Sequence, residues 1–129
     1  MRRPELTVLI PVYNEESTLA AVLDAVSATA FDKQVVVIDD GSTDATARVL
    51  AGWLSRRAEQ GLDHDVEVVW HPVNRGKGAA IRTAMQASTG NVVIVQDADL
   101  EYDPNDWPVL LEPIIDGRAD AVFGSRFLG

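Results

Sequence analysis

The 129 residues include no cysteine. That excludes a disulfide framework, thiolate metal sites and a cysteine nucleophile, and it fits a reducing compartment. Long apolar runs are missing too. Met1-Arg2-Arg3 is basic, but the apolar run over residues 6–10 stops at Pro11. It is too short for the core of a signal peptide or for a membrane span, so contact with a membrane would be peripheral at most. Positive charge is scarce. Eleven Lys and Arg against 20 Asp and Glu leave a formal net charge of -9, which argues against broad binding to a nucleic-acid backbone, since that needs a basic face. A nucleotide site stays open, because a metal ion can supply positive charge locally.

What is present is alternation. Hydrophobic residues make up 47% of the chain, enough for one domain with a core. Short β-rich runs cover residues 6–10, 34–38, 65–70, 91–95 and 119–123. The near-continuous Val/Ile runs at 34–38 and 91–95 suit strands buried on both faces of a parallel sheet. Helical faces fall between them: Leu19, Val22, Leu23 and Val26 after Ser17 as N-cap; Leu50, Trp53 and Leu54 after Ser42-Thr43-Asp44; Ile81, Ala84 and Met85; and Leu110, Leu111, Ile114 and Ile115, begun near Asp106 and Pro108 and closed by Gly117. Strand–helix alternation with short connections predicts right-handed βαβ units and an open, mainly parallel α/β sheet with helices on both faces. Ligands of such sheets bind at the carboxyl ends of the strands, near the switch in strand order.

The segments just after the strands are unusually polar. Asp97-Ala98-Asp99 puts two carboxylates at i and i+2, which an extended backbone would point the same way. Close like charges need a compensating cation or donors, and hard oxygens suit Mg²⁺ or Mn²⁺. Glu101 continues the spacing. A polar turn with solvated acids explains the triplet equally simply. In Asp39-Asp40-Gly41-Ser42-Thr43-Asp44, Gly41 permits a turn and Ser42 or Asp44 caps a helix. Asp39 could also accept hydrogen bonds from a base or ribose, and two acids in a row exceed what capping requires. Asn74-Arg75-Gly76-Lys77-Gly78 precedes a helix, where backbone N–H groups and the helix N-terminus favour anions; an ordinary loop is the alternative. His64 and His71 have no partner at metal-ligand spacing and read as surface or strand-end residues. Gly124-Ser125-Arg126 offers a planar donor fork to a diphosphate, or simply a solvated arginine.

Together these segments, with Ile10-Pro11-Val12-Tyr13-Asn14-Glu15-Glu16, resemble the family 2 glycosyltransferases of the GT-A fold, in the family's order and across the whole chain. They look most like the branch of polyprenyl- and dolichyl-phosphate mannose and glucose synthases. The resemblance implies a Rossmann-like sheet and inverting transfer of a hexose from GDP- or UDP-hexose to an acceptor, foremost a polyprenyl phosphate. It implies that Pro11, Tyr13 and Glu15 frame the nucleoside, with Val37 and Asp39 completing that pocket. Lys77 would approach the nucleotide. Asp97 would contact the donor and the metal environment, Ala98 would lie against the donor, Asp99 would ligate Mg²⁺ or Mn²⁺, and Arg126 would reach the phosphates. Asp97, Asp99 and Arg126 are thus the expected catalytic residues, and Glu101 is a third metal-ligand candidate at a position that is often glutamine in this branch.

Family members are usually much longer. The expectation is therefore a chain truncated to the donor-binding region, residues 1–129, without the acceptor half, working in the cytoplasm or at the cytoplasmic face of a membrane. A homo-oligomer, or a non-catalytic donor-binding fragment that joins a partner subunit, is the competing organisation. An Mg²⁺-dependent phosphatase of the haloacid-dehalogenase type fits poorly, because its acid triplet follows the first strand. A sugar nucleotidyltransferase needs a glycine-rich N-terminal loop that Pro11-Val12-Tyr13-Asn14 does not provide.

Overall fold

A computed structural model describes residues 6–29, 32–62, 65–89 and 92–99, and the backbone of 122–124. Its elements run β1 (Leu6–Val12), α1 (Leu19–Ser27), β2 (Lys33–Asp40), α2 (Thr46–Glu59), β3 (Val66–His71), α3 (Lys77–Gln86), β4 (Val92–Gln96) and β5 (Val122–Gly124). The strands form one sheet in the order β3-β2-β1-β4-β5, and every pairing is parallel. The fourth helical pattern, over 110–115, lies outside the described residues.

The period-2 pattern of the strands sorts their side chains between two faces. Leu6, Val8, Ile10 and Val12 of β1 and Val35 and Val37 of β2 pack with Leu19, Val22, Leu23 and Val26 of α1 and Leu50 and Trp53 of α2. Leu9, Val36, Ile38 and Val95 face the other way, onto Ala80 and Ala84 of α3. The chain steps from β1 to β2 to β3 through α1 and α2 on one face, then returns through α3 on the other. Right-handed crossovers require that change of face when the direction along the sheet reverses. Each fully buried Leu or Ile contributes about 1.5–3 kcal/mol, so these two clusters hold the fold.

Local details differ from the periodicity. Thr18, not Ser17, stands at the N-cap of α1, and its hydroxyl does not cap the helix. Ala45, not Asp44, stands at the N-cap of α2; the Asp44 carboxylate accepts from the Thr46 N–H at 2.9 Å in the turn that leads into the helix. On α3, Met85 is 53% exposed, while Ala80 and Ala84 are buried. The small alanines let the helix lie close to the sheet, and Met85 is rotated out of that contact. At the amino ends of the strands Gln34 fastens the end of α3, donating to the Ala87 carbonyl at 2.8 Å and accepting from the Thr89 N–H at 2.9 Å.

Between β1 and β4 the strand order switches. Their ladder ends at Leu9↔Val95, and Pro11, lacking an N–H, cannot carry it further. The two chains part there, opening a crevice at the carboxyl edge.

Candidate functional site

Four loops meet at that edge: one after each of β1, β2, β3 and β4. The first two are stitched together by Asn14, which takes a left-handed conformation (φ 53°) that asparagine tolerates better than most residues. Its side-chain oxygen accepts from the Thr43 N–H at 2.8 Å and the Asp44 N–H at 3.3 Å. Its own N–H donates to Ser42 Oγ at 3.0 Å, and the Glu15 N–H donates to Thr46 Oγ1 at 2.9 Å. Asn14 was not among the site residues expected from sequence. The signal was there, a short polar side chain just past a strand, but its partners are about thirty residues away.

The second and third loops touch backbone to backbone. Gly41 has φ 73°, and a Cβ there would stand 2.4 Å from the Asn74 nitrogen and the Val73 carbonyl carbon. Glycine is required by both the dihedral and the approach.

The adjacent acids Asp39 and Asp40 point to opposite sides of β2, as neighbours on a strand must. Asp39, 2% exposed, accepts from the Ser42 N–H at 3.0 Å, closing its own turn. Asp40, 3% exposed, faces His71, its register partner on β3. It accepts from His71 Nδ1 at 2.7 Å, from the Arg75 N–H at 3.0 Å and from the Gly76 N–H at 2.9 Å. Burial pushes the Asp40 carboxyl upward, but the hydrogen bonds from His71, Arg75 and Gly76 outweigh it and hold the group below the ordinary carboxylate value. His71 is therefore a buried strand-end residue, not a surface one: its Nε2 lies 2.9 Å from Thr83 Oγ1 of α3.

The third loop thus delivers Lys77, the first residue of α3, across the crevice, where its ammonium pairs with the Asp97 carboxylate just past β4. The Lys77 side chain is 55% exposed, so the pair adds little to folding, about 0–1 kcal/mol. Its importance is that Asp97 faces a cation across the mouth of the switch point. The backbone then turns over Ala98 and Asp99, in place of the extended course that would align both carboxylates. Ala98 is buried in the α1–α2 cluster, and its carbonyl accepts from Thr18 Oγ1 at 2.6 Å. Asp99 is exposed. Glu101 and Arg126 lie outside the described residues; β5 ends at Gly124, beside Gln96.

Other expected residues are placed as follows. Tyr13 is 45% exposed directly after β1, free to offer its ring to a ligand. Pro11 is partly exposed and Glu15 half-buried, its carboxylate 3.1 Å from the Thr18 hydroxyl. Val37 has no exposed surface and belongs to the core under α1 and α2. Ala98, 3% exposed, likewise packs its side chain in the core.

Comparison with known proteins identifies the family. The profile of glycosyl transferase family 2 matches residues 7–129. The chain belongs to that family. It is 34% identical over 129 residues to the low-salt glycan biosynthesis hexosyltransferase Agl6 of Haloferax volcanii, a match covering 98% of this chain and 28% of the relative. It is 29% identical to the dolichol-phosphate mannosyltransferase of Pyrococcus furiosus, covering 96% of this chain and 34% of that protein. The chain therefore spans about a third of the length of these relatives. Among solved structures, the mannosyltransferase PcManGT of Pyrobaculum calidifontis, in complex with GDP-Man and Mn²⁺, superposes with a TM-score of 0.69 at 33% identity, over 82% of this chain and 30% of that one. The sheet order and the acids after β2 and β4 are thus the GT-A fold of a family 2 glycosyltransferase.

The donor set at the crevice suits a hard divalent cation. Among the described residues no group of three His, Asp or Glu side chains could hold a metal ion by itself. A cation on Asp97 and Asp99 would complete its shell with phosphate oxygens and water, as Mg²⁺ and Mn²⁺ commonly do. The Lys77 ammonium already supplies positive charge at Asp97.

Proposed function

We propose that these residues bind the donor of a metal-dependent, inverting hexosyltransferase that uses GDP- or UDP-hexose and a polyprenyl-phosphate acceptor. The observation that carries this reading is the Lys77–Asp97 pair, set across the crevice at the strand-order switch. The crevice would seat the diphosphate between α3 and the Asp97 turn. Tyr13 would lie against the base, and Asp39 would hold the second loop at the nucleoside. Two of the relatives described above act on hexose or mannose transfer by name, and PcManGT holds GDP-Man with Mn²⁺.

In the reaction the acceptor oxygen attacks the anomeric carbon from the face opposite the leaving nucleoside diphosphate, and the anomeric C–O bond to that diphosphate breaks. Negative charge builds on the departing phosphate. A cation held by Asp97 and Asp99, with Glu101 as a further oxygen, would supply Lewis acidity to that charge. Lys77, and Arg126 beyond β5, would add fixed positive charge where it develops. A lipid-phosphate acceptor arrives as an anionic nucleophile and requires no general base. No helix among the described residues is long and apolar enough to cross a membrane, so in this reading acceptor and membrane would meet the crevice from outside.

The test is calorimetry with GDP and UDP, each with Mn²⁺, with Mg²⁺ and with chelator. Binding that requires metal, and that loses its metal dependence in Asp99→Ala, is expected. Absence of nucleotide binding in either metal would sink the proposal. Formation of product from a nucleotide sugar and a polyprenyl phosphate separates an enzyme from a donor-binding module.

A further inference from the structure

The polar cluster behind the third loop is not used by the chemistry above. Asp40, His71 and Thr83 come from β2, β3 and α3, and Asp40 and His71 are 3% and 6% exposed. An ionised carboxylate only accepts, so His71 Nδ1 must carry the proton that it donates to Asp40. In the neutral ring Nε2 is then an acceptor for the Thr83 hydroxyl. Asp40 is left with donors on both oxygens: His71 Nδ1 and the Arg75 N–H on one, the Gly76 N–H on the other. Burying an acid and an imidazole together is expensive unless their hydrogen bonds are complete, and here they are. The cluster grips the two residues immediately before Lys77. Residues 72–75 of the same loop are exposed, so besides the backbone contact of Val73 and Asn74 with Gly41 this cluster holds the segment that leads into α3.

We propose that Asp40 and His71 are positioning residues for the donor site: by clamping the Arg75 and Gly76 amides they set Lys77 against Asp97, and so raise affinity for a nucleoside diphosphate. Neither side chain touches the ligand. The inference rests on the donor-site reading above and adds a device to it.

The experiment is a double-mutant cycle read by calorimetry with GDP and UDP in Mn²⁺, well below the melting temperature of every variant. Asp40→Asn and His71→Gln are each expected to weaken binding about tenfold. In a Lys77→Met background the same changes should weaken it by less than about twofold, because the group they position is gone. Their effect on melting temperature should be equal in both backgrounds. His71→Gln keeps an amide donor near Asp40 and carries the test if Asp40→Asn does not fold. Equal weakening with and without Lys77, or wild-type affinity in His71→Gln, would overturn the inference while leaving the donor site standing. No binding by the wild-type chain would remove both.

Discussion

Two acidic pairs close the strands on either side of β1, and they have opposite fates. Asp39 and Asp40 end β2 almost completely buried, at 2% and 3% exposure; both Asp40 oxygens are taken up by His71 and backbone N–H groups, and Asp39 Oδ1 accepts from the Ser42 N–H. Asp97 and Asp99 follow β4 at the mouth of the crevice. Asp97 faces the half-exposed ammonium of Lys77, and Asp99 is exposed. In sequence the pairs look alike: acids after a Val/Ile-rich strand. The difference is in what satisfies them. In the first pair Asp40 is satisfied by the fold and belongs to loop architecture. In the second, Asp97 meets the half-exposed Lys77 ammonium at the open edge of the crevice, where a ligand can compete for it.

That contrast can be broken at several points. The largest effect is expected where the second and third loops meet. Gly41→Ala adds a Cβ at φ 73° and 2.4 Å from backbone atoms of Val73 and Asn74. It should cost about 4 kcal/mol, read by urea unfolding, and separate the loops. Next comes Asp40→Asn, which puts an NH₂ where donors already point and should cost about 3 kcal/mol. Asp97→Asn, in contrast, should change stability by no more than about 1 kcal/mol while removing metal-dependent nucleotide binding. Equal destabilisation by the two substitutions would erase the distinction. Thr18→Val keeps shape but loses the hydroxyl that meets the Ala98 carbonyl at 2.6 Å. A loss of about 1 kcal/mol is expected, with weaker nucleotide binding because the turn carrying Asp97 and Asp99 loosens.

The gentlest perturbation is protonation. The Asp40 carboxyl is held below its ordinary value of 3.8. Its contribution to stability is therefore complete above that value and is lost as pH falls through the lower folded-state value. Urea titrations of the wild type and Asp40→Asn should show a gap that is constant near about pH 6 and narrows below about pH 4. A gap that widens on acidification would contradict the assignment.

Much of this was legible in the sequence, for physical reasons. Apolar runs such as Val35-Val36-Val37-Ile38 report burial on both faces of a sheet directly, and the alternation with helical faces dictates the parallel order. Gly41 declared its turn by chemistry alone. Tertiary partners were not legible. His71 reads as a lone histidine until β3 pairs with β2 and brings Asp40 alongside. Val37 is expected at the pocket only through the family resemblance; the strand repeat puts its side chain in the core under the helices. Ser17 has the chemistry of a cap, yet α1 starts one residue later, where Thr18 turns its hydroxyl to Ala98. Met85 fits the helical period, but the contact of α3 with the sheet is centred on two alanines.

The acids after β4 are proposed to meet a ligand directly, whereas Asp40 after β2 serves the fold. One calorimetric comparison tests this contrast most directly: GDP and UDP titrated in Mn²⁺ into the wild type and Asp99→Asn, with the melting temperature of each measured alongside. The account requires metal-dependent binding by the wild type, loss of that dependence in Asp99→Asn, and melting temperatures that agree. A variant that melts early, or one that binds nucleotide and metal as the wild type does, would contradict it.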